Sequence, residues 1–273
     1  MSCWPSEISI HEESDTMDAL ELIARYNAGE RHFQEAHLEG ADLVGAGLEG
    51  ADFSQAHLGS AGLEGANLQG ATLWEADLRQ ANLRGANLER ADLSRADLRG
   101  ATLYCARLNK ANLRGADLRE ANLTDTDLSG ATLKGVDLRG ATLLASDLRG
   151  AVLNKGDLRG GRLAVANLEG ASLEGFDLSG ANLHGARLDG ANLRGTNLTG
   201  AYLASASLQH ACLQDADLEG ADFRSPSPHE AEADLTGADL SGANLLHAQI
   251  THEQLFRTAS LQGATLPSGA LHH

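Results

Sequence analysis

Apolar residues recur along this chain with a period of five. Every fifth residue from Leu38 to Phe223 is Leu or Phe, and 36 of these 38 central residues are Leu. Ala stands two residues before the centre in 31 of the 38 repeats, and Gly stands two residues after it in 21. A period of five matches neither the 3.6 residues of an α-helix turn nor the two-residue alternation of a β-strand. The pattern predicts a chain that turns a corner after every fifth residue.

In such a chain the central Leu points inward from the middle of each side, and Ala points inward beside the corner. Four sides make a square coil of twenty residues, so residues twenty apart in the sequence lie in one column. The glycine position is the one that needs a positive φ in a type II turn. The turn residues and the core residues therefore predict the same coil. Because residues twenty apart share a column, the sequence also predicts which side chains lie together on each face.

The motif Ala-(Asp/Asn)-Leu-X-Gly resembles the pentapeptide-repeat family, and the resemblance covers about residues 33 to 250. It implies an all-β fold, a right-handed quadrilateral β-helix. At a rise of about 4.8 Å per coil, the repeats make about ten coils and a rod about 50 Å long. One coil cannot bury its leucines without neighbours, so both ends of the rod need caps.

Short capping helices are predicted at both ends. Met17 and Leu20 have helical spacing before Gly29, and Thr251 and Gln254 have the spacing of a capping box. The predicted organisation is a disordered segment at 1–15, an N-terminal capping helix at 16–29, the β-helix at 30–223, a loop insertion at 224–232, a final coil at 233–250, and a C-terminal cap and tail at 251–273 that is frayed from Pro267.

The predicted loop insertion is the one interruption of the repeat. The centres Phe223 and Leu235 are twelve residues apart, and Pro226 and Pro228 lie between them. Two prolines indicate a loop that leaves one corner of the coil. We interpret it as a tolerated insertion, with contact to a partner as the alternative.

Charge is unevenly distributed along the chain, whose formal net charge is −17. Residues 1–60 hold 12 acids and 2 bases, residues 61–160 hold 13 and 14, and residues 161–273 hold 13 and 5. The net charge disfavours direct binding of nucleic acid. Neither a membrane span nor a secretory signal is predicted, so we expect a cytoplasmic protein. The three cysteines have no metal-site spacing and are predicted to be free thiols.

One predicted face carries an Arg–Asp ladder, in which each outward Arg follows an outward Asp by two residues. We interpret the ladder as a self-neutralising surface, with a basic anion-binding stripe as the alternative. Its members are Arg79, Arg99, Arg119, Arg139 and Arg159 with Asp77, Asp97, Asp117, Asp137 and Asp157.

The next face has few charges in its middle coils and is the candidate interaction surface. Tyr104, Leu144 and Ala164 point outward there, with Val165 at the adjoining corner. Exposed apolar columns on a charged protein are typical of partner-binding or self-association surfaces. Trp74 points outward on a further face and is a second candidate contact.

Other notable residues are predicted to serve packing. Phe176 replaces an inward Ala, and Gly156 precedes it by twenty residues, so the two are expected to compensate in volume. His37 and His57 share a column near Glu39, but zinc needs three or four fixed ligands, so no metal site is predicted. No cofactor is predicted either, because the repeat supplies neither a phosphate-binding motif nor a cleft.

The resemblance leaves two classes of binding function. One class is the heterocyst-regulating cyanobacterial members, which the segment Gly29-Glu30-Arg31-His32-Phe33 also resembles. This class implies a protein-interaction scaffold, whose partner is another protein or, in a homodimer, a second copy of the chain. Quinolone-resistance members resemble a DNA duplex and occupy the DNA site of gyrase. A DNA mimic needs a continuous negative stripe, because DNA carries a charge every 1.7 Å. The near-neutral middle of this rod interrupts such a stripe and therefore favours the scaffold. An enzyme is disfavoured, since the recurring Asp pairs follow from the repeat.

Overall fold

The computed structural model describes residues 17–227 and 229–273. The predicted disordered segment 1–15 and Pro228 lie outside the described residues. Two helices are present in this part of the chain, α1 (Ala19–Asn27) and α2 (His252–Phe256). Neither of these helices has the length and apolar character needed to cross a membrane.

Between the helices, the chain winds into a repeat solenoid held by isolated parallel β-bridges. The bridges join residues twenty apart, as from Asp77 to Asp97 and from Asp97 to Asp117. Each five-residue side contributes one bridge residue, because turns at both corners take up the remaining positions. The twenty-residue stacking predicted from the period is therefore present, with single bridges in place of longer strands in the described chain.

Backbone hydrogen bonds connect each coil to the next in a repeating scheme. The Leu78 amide donates to the Asp97 carbonyl at 2.8 Å, and the Asp97 amide donates to the Ala76 carbonyl at 2.9 Å. The corner closes through the Ala81 amide, which donates to the Leu78 carbonyl at 3.0 Å. These bonds satisfy backbone groups that would otherwise be buried without partners.

The core is a stack of Leu and Ala side chains, almost all of them fully buried. Three of the seven inward positions without Ala carry hydroxyls, each of which donates to a backbone carbonyl. Thr126 donates to Leu103 at 2.8 Å, and Ser146 donates to Leu143 at 2.8 Å. Because these hydroxyls have partners, their burial carries little penalty.

The corner residue of each side has a positive φ, whether or not it is glycine. Gly40 has φ +66°, as the turn requires, but 18 non-glycine residues also adopt positive values. Among them is Val165 at +54°. A β-branched residue is rarely found in this region, because its side chain crowds the backbone.

Both helices are capped by their own side chains. The Asp18 carboxylate accepts the Glu21 amide of α1 at 2.7 Å. In α2, Thr251 and Gln254 form the predicted capping box. The side-chain amide of Gln254 also donates to the carbonyls of Phe223 and Ala233, at 3.2 Å and 3.0 Å. Phe223 and Ala233 flank the insertion loop, so Gln254 of α2 holds the two ends of the loop together.

The insertion increases the sequence separation of stacked residues, but the columns continue past it. Ser207 bridges Asp234, which is twenty-seven residues further along the chain. The loop then lies back on the coil it leaves, where the Ser205 hydroxyl donates to the Ala231 carbonyl at 2.7 Å. Ala204 is fully buried as a result, although its position in the repeat is an outward one.

The chain after Pro267 is paired, so the prediction of a frayed tail is wrong. Leu261 and Leu266 resume the five-residue period after α2, and bridges join Asp239 to Ser260 and Asn244 to Thr265. Thr265 also forms an antiparallel bridge with Leu271. The solenoid therefore continues past its capping helix, and its last turn returns on itself.

Candidate functional site

The Arg–Asp ladder pairs its charges within and between coils. Arg119 Nη2 lies 2.6 Å from Asp117 Oδ2, and Arg119 Nε lies 3.6 Å from Asp137 Oδ2 of the next coil. The other four arginines repeat this geometry, with distances of 2.5–2.8 Å to their own Asp and 3.7–3.9 Å to the next. The ladder therefore presents little free positive charge.

Hydrogen bonding within the ladder shifts its titrations. Hydrogen bonds from the Arg119 side chain hold the pKa of Asp117 below its usual value, against the opposing effect of burial. Arg139 lowers the pKa of Asp137 in the same way. The same contacts raise the pKa values of Arg119 and Arg139, so the pairs Asp117–Arg119 and Asp137–Arg139 stay charged at neutral pH.

Tyr104, Leu144, Ala164 and Val165, here called the nonpolar strip, share one face of the rod. The bridges from Thr102 through Asn122, Thr142 and Arg162 set this column. Tyr104 is half-buried beneath the guanidinium of Arg84, which lies 5.4 Å from its ring centre. Leu144 and Ala164 are also half-buried, whereas Val165 is 58% exposed.

The corner beside the nonpolar strip has non-glycine residues with positive φ in four successive coils. These φ values are +57° at Cys105, +55° at Asp125, +53° at Ala145 and +54° at Val165. An L-residue in the left-handed region costs about 1–2 kcal/mol, and Gly avoids that cost. Sequence reasoning assigned Val165 to this corner but did not identify its strain.

The insertion loop 224–232 extends the same face beyond the nonpolar strip. His184 and Tyr202 stack there with ring centres 5.8 Å apart, and His184 Nε2 lies 4.0 Å from Glu230 Oε2 of the loop. Burial raises the pKa of the Tyr202 hydroxyl. The loop and the nonpolar strip therefore form one continuous surface, which the sequence pattern alone did not connect.

Trp74 lies on a different face, away from the nonpolar strip. It lines an open cavity of about 750 Å³ together with Arg95, Arg114, Lys134 and Lys155. Two glycines of the corner column, Gly115 and Gly135, also line this cavity. The sequence-predicted contacts thus fall on two separate faces of the rod.

Phe176 lies against Gly156 in the interior. A Cβ placed on Gly156 would lie 2.4 Å from Phe176 Cε2 and 2.9 Å from the Val136 carbonyl oxygen. Neither residue reaches the surface, since Phe176 is 1% exposed. Their role in this geometry is packing.

His37, Glu39 and His57 bring three potential ligand atoms within 4.8 Å of one another. The two Nδ1 atoms lie 3.7 Å and 3.6 Å from the same Glu39 oxygen. The imidazole rings stack at 4.5 Å with an angle of 6° between their planes. A single ion cannot lie in two parallel ring planes, so this arrangement does not suit zinc.

The described residues form a repeat solenoid whose faces differ in charge and polarity. The chain matches the family description Pentapeptide repeats (8 copies) over residues 30–59, 61–100, 101–140, 126–163, 162–200, 186–224 and 231–252. The chain therefore belongs to the pentapeptide-repeat family.

Solved structures of family members are similar to this chain. HetL, involved in heterocyst differentiation regulation in the cyanobacterium Nostoc sp. strain PCC 7120, is 35% identical over 94% of this chain and 100% of its own, with a TM-score of 0.42. A trypsin-treated variant of QnrB1, a plasmid-mediated fluoroquinolone resistance protein, is 20% identical over 68% of this chain and 90% of its own, with a TM-score of 0.55. The QnrB1 likeness shows the fold alone. Comparison with curated proteins gives no match.

Proposed function

We propose that this protein is a non-enzymatic protein-interaction scaffold with a regulatory role, built on a right-handed four-sided β-helix of about ten coils. The observation that carries the proposal is Val165, which is both strained and 58% exposed. Glycine at this corner would relieve the strain and would lose little buried surface. A valine in that place is a cost to the isolated chain, and contact with a partner offsets it.

The surroundings of Val165 suit a binding surface. Leu144 and Ala164 lie beside it, and the Arg–Asp ladder on the adjoining face keeps its own charges paired. Burial of apolar area contributes about 25 cal/mol per Å², so a partner gains from covering the nonpolar strip. The insertion loop supplies a polar rim next to it through Glu230, and Ser205 of the coil anchors the loop there.

The partner is a second protein or a second copy of this chain. Gyrase binding by DNA mimicry is the alternative class, and the charge distribution disfavours it. Residues 61–160 hold 13 acids and 14 bases, and the ladder aspartates are paired with arginines in that region. A regulatory role of the kind named for HetL is included in the proposal, whose support remains the strained and exposed Val165.

The test introduces two charges into the nonpolar strip with Tyr104→Glu and Leu144→Glu. Burying two carboxylates in an apolar contact is costly, so we expect loss of partner capture from native lysate, or of self-association in analytical ultracentrifugation. Ser179→Glu with Thr199→Glu is the matched control, because it adds the same charge at equivalent positions of the ladder face. Stability should change within about ±0.5 kcal/mol in both variants.

A parallel assay separates the two classes of function. The wild-type protein at micromolar concentration should leave DNA supercoiling by gyrase unchanged. Inhibition at that concentration would replace the scaffold proposal with DNA mimicry. Persistence of both capture and self-association in the strip variant would show that the contact surface lies on another face.

A further inference from the structure

The cavity beside Trp74 has the composition of an anion-binding site. We define the basic groove by Trp74, Arg95, Arg114, Lys134 and Lys155, with Gly115 and Gly135 as its floor. Arg95, Gly115, Gly135 and Lys155 are twenty residues apart and form one corner column. Because the two glycines carry no side chains, the column opens into a notch between the two cations. Arg114 and Lys134 precede the glycines and form the side of this notch.

The cations of the basic groove lack the partners that other arginines of this protein have. Within residues 17–227 and 229–273, Arg114, Lys134 and Lys155 make no ion pair within 4.0 Å, and Arg95 alone pairs with Glu75, at 3.1 Å. Arg119 of the ladder, in contrast, contacts two aspartates. The chain therefore pairs all five arginines of the ladder, whereas three of the four cations of the basic groove have no ion-pair partner among the described residues.

Apart from Glu75, which pairs with Arg95, no acidic group of the described residues forms an ion pair with the basic groove. The Asp92 carboxylate is occupied by hydrogen bonds from Ser94 and from the Asn112 side chain, at 2.6 Å and 2.9 Å. Stacking places cations of neighbouring coils close together, which destabilises the free protein through like-charge repulsion. None of the residues that line this groove is acidic, although the chain has 38 acidic residues.

We propose that the basic groove binds a short acidic segment of a partner protein. The span from Arg95 to Lys155 is three coil spacings, or about 14 Å, which fits about four residues of extended peptide. Carboxylates of such a segment would pair with Arg114 and Lys134, and an apolar neighbour would contact Trp74. The inference shares with the proposed function the idea of a protein partner, but it uses a different face.

A longer polyanion fits this surface less well than a short one. The basic groove is confined to the middle of the rod, and residues 17–60 beyond one end hold 8 acids and 2 bases. Residues 161–273 beyond the other end hold 13 acids and 5 bases. A nucleic acid that extended past the groove would meet these acidic ends, whereas a four-residue acidic segment would not.

The test measures the fluorescence anisotropy of a fluorescein-labelled peptide with four consecutive glutamates followed by leucine, at about 50 mM salt. Wild-type protein should bind the peptide, and added salt should weaken the binding. Arg114→Gln with Lys134→Gln should weaken it at least tenfold. Arg119→Gln with Arg139→Gln removes the same charge from the ladder and should change affinity less than twofold. Lys155→Gln gives a second groove variant if the double variant folds poorly.

Three outcomes would overturn the inference. No binding of the peptide to wild-type protein would mean that the basic groove is not a site for acidic segments. Equal weakening by the groove and ladder variants would indicate long-range attraction without a site. Tighter binding of a labelled single-stranded 12-nucleotide DNA than of the peptide would assign the groove to nucleic acid. The variant Tyr104→Glu with Leu144→Glu should bind the peptide like wild type, so failure of the nonpolar strip is distinguishable from failure of the groove.

Discussion

The ring of Phe176 fills the volume in which residue 156 would carry its Cβ, since an ideal Cβ on Gly156 lies 2.4 Å from Phe176 Cε2. A similar relationship holds for the next inward position of the same coil. A Cβ on Gly161 would lie 1.4 Å from Leu158 Cδ2. In this part of the rod, neighbouring side chains occupy the space that an Ala methyl fills elsewhere, and the two glycines avoid the overlap.

Gly156→Ala should lower the free energy of unfolding by about 1–3 kcal/mol, because the added methyl overlaps Phe176 and the Val136 backbone. Phe176→Ala in the same chain should relieve the overlap, so the double variant should be more stable than the sum of the single effects predicts. Gly160→Ala is the control, since a Cβ there meets nothing within 4 Å and adds only the cost of its positive φ. Urea titration provides the energies, and strictly additive values would contradict the packing relationship.

Val165→Gly should raise the free energy of unfolding by about 0.5–1 kcal/mol, because it removes a β-branched residue from the left-handed region. Partner capture should weaken at the same time, since the exposed side chain is lost. Ala145→Gly has the same backbone change with a smaller side chain and should affect binding less. Thermal melts and capture assays on the two variants test this, and a less stable Val165→Gly would remove the argument from strain.

Acid should destabilise the rod through the ladder carboxylates. The pKa of Asp117 is lowered in the folded state by hydrogen bonding to Arg119. Its contribution is therefore fully present above the unfolded-state pKa of about 3.9 and is lost as pH falls through the lower folded value. The melting temperature should decrease as the pH is lowered from about 5. Arg119→Gln should make that decrease less steep.

Arg114→Gln is the control for the acid experiment, because Arg114 has no ladder aspartate beside it. It should leave the pH dependence of melting unchanged. An equal change in both variants would mean that overall charge, and not the paired carboxylates, determines the acid response.

Gln254→Leu should lower the free energy of unfolding by about 1–3 kcal/mol, because the carbonyls of Phe223 and Ala233 lose their donor and the Thr251 amide loses its capping-box acceptor. The exposed Gln262→Leu on the last turn should change it by less than about 0.5 kcal/mol. Comparison of the two by urea titration tests whether α2 closes the base of the insertion loop. Similar small effects would show that water replaces the Gln254 amide without cost.

Features that follow from the five-residue period were accessible from the sequence. The stacking of Asp77 on Asp97 and of Phe176 on Gly156 depends only on counting residues in twenties. The capping box of α2 was equally accessible, because it depends on the spacing of Thr251 and Gln254. Each of these features is local or periodic, so no long-range folding had to be known.

Contacts made by irregular segments were not accessible in the same way. The loop covers Ala204 and brings Glu230 near His184, although nothing in its composition indicates the side on which it lies. The sequence pattern predicts a frayed tail after the helix that closes the rod, and this prediction misses the return of the five-residue period at Leu261 and Leu266. The basic groove needed the observation that Arg114 and Lys134 form no ion pair with any residue that the structure describes, which counting charges does not show.

The coil that contains Gly156 and Gly161 is also the least strongly joined to its neighbour. The Arg162 amide donates to the Ala141 carbonyl at 3.5 Å, the longest backbone bond between coils in the described chain. The corresponding corner bond from the Gly140 amide to the Arg159 carbonyl is not formed, although Glu120 makes its counterpart to Arg139 at 3.0 Å. Under a pulling force along the axis, the coils should separate first at this seam and leave two folded segments, still joined by the covalent chain, that each retain a capped end.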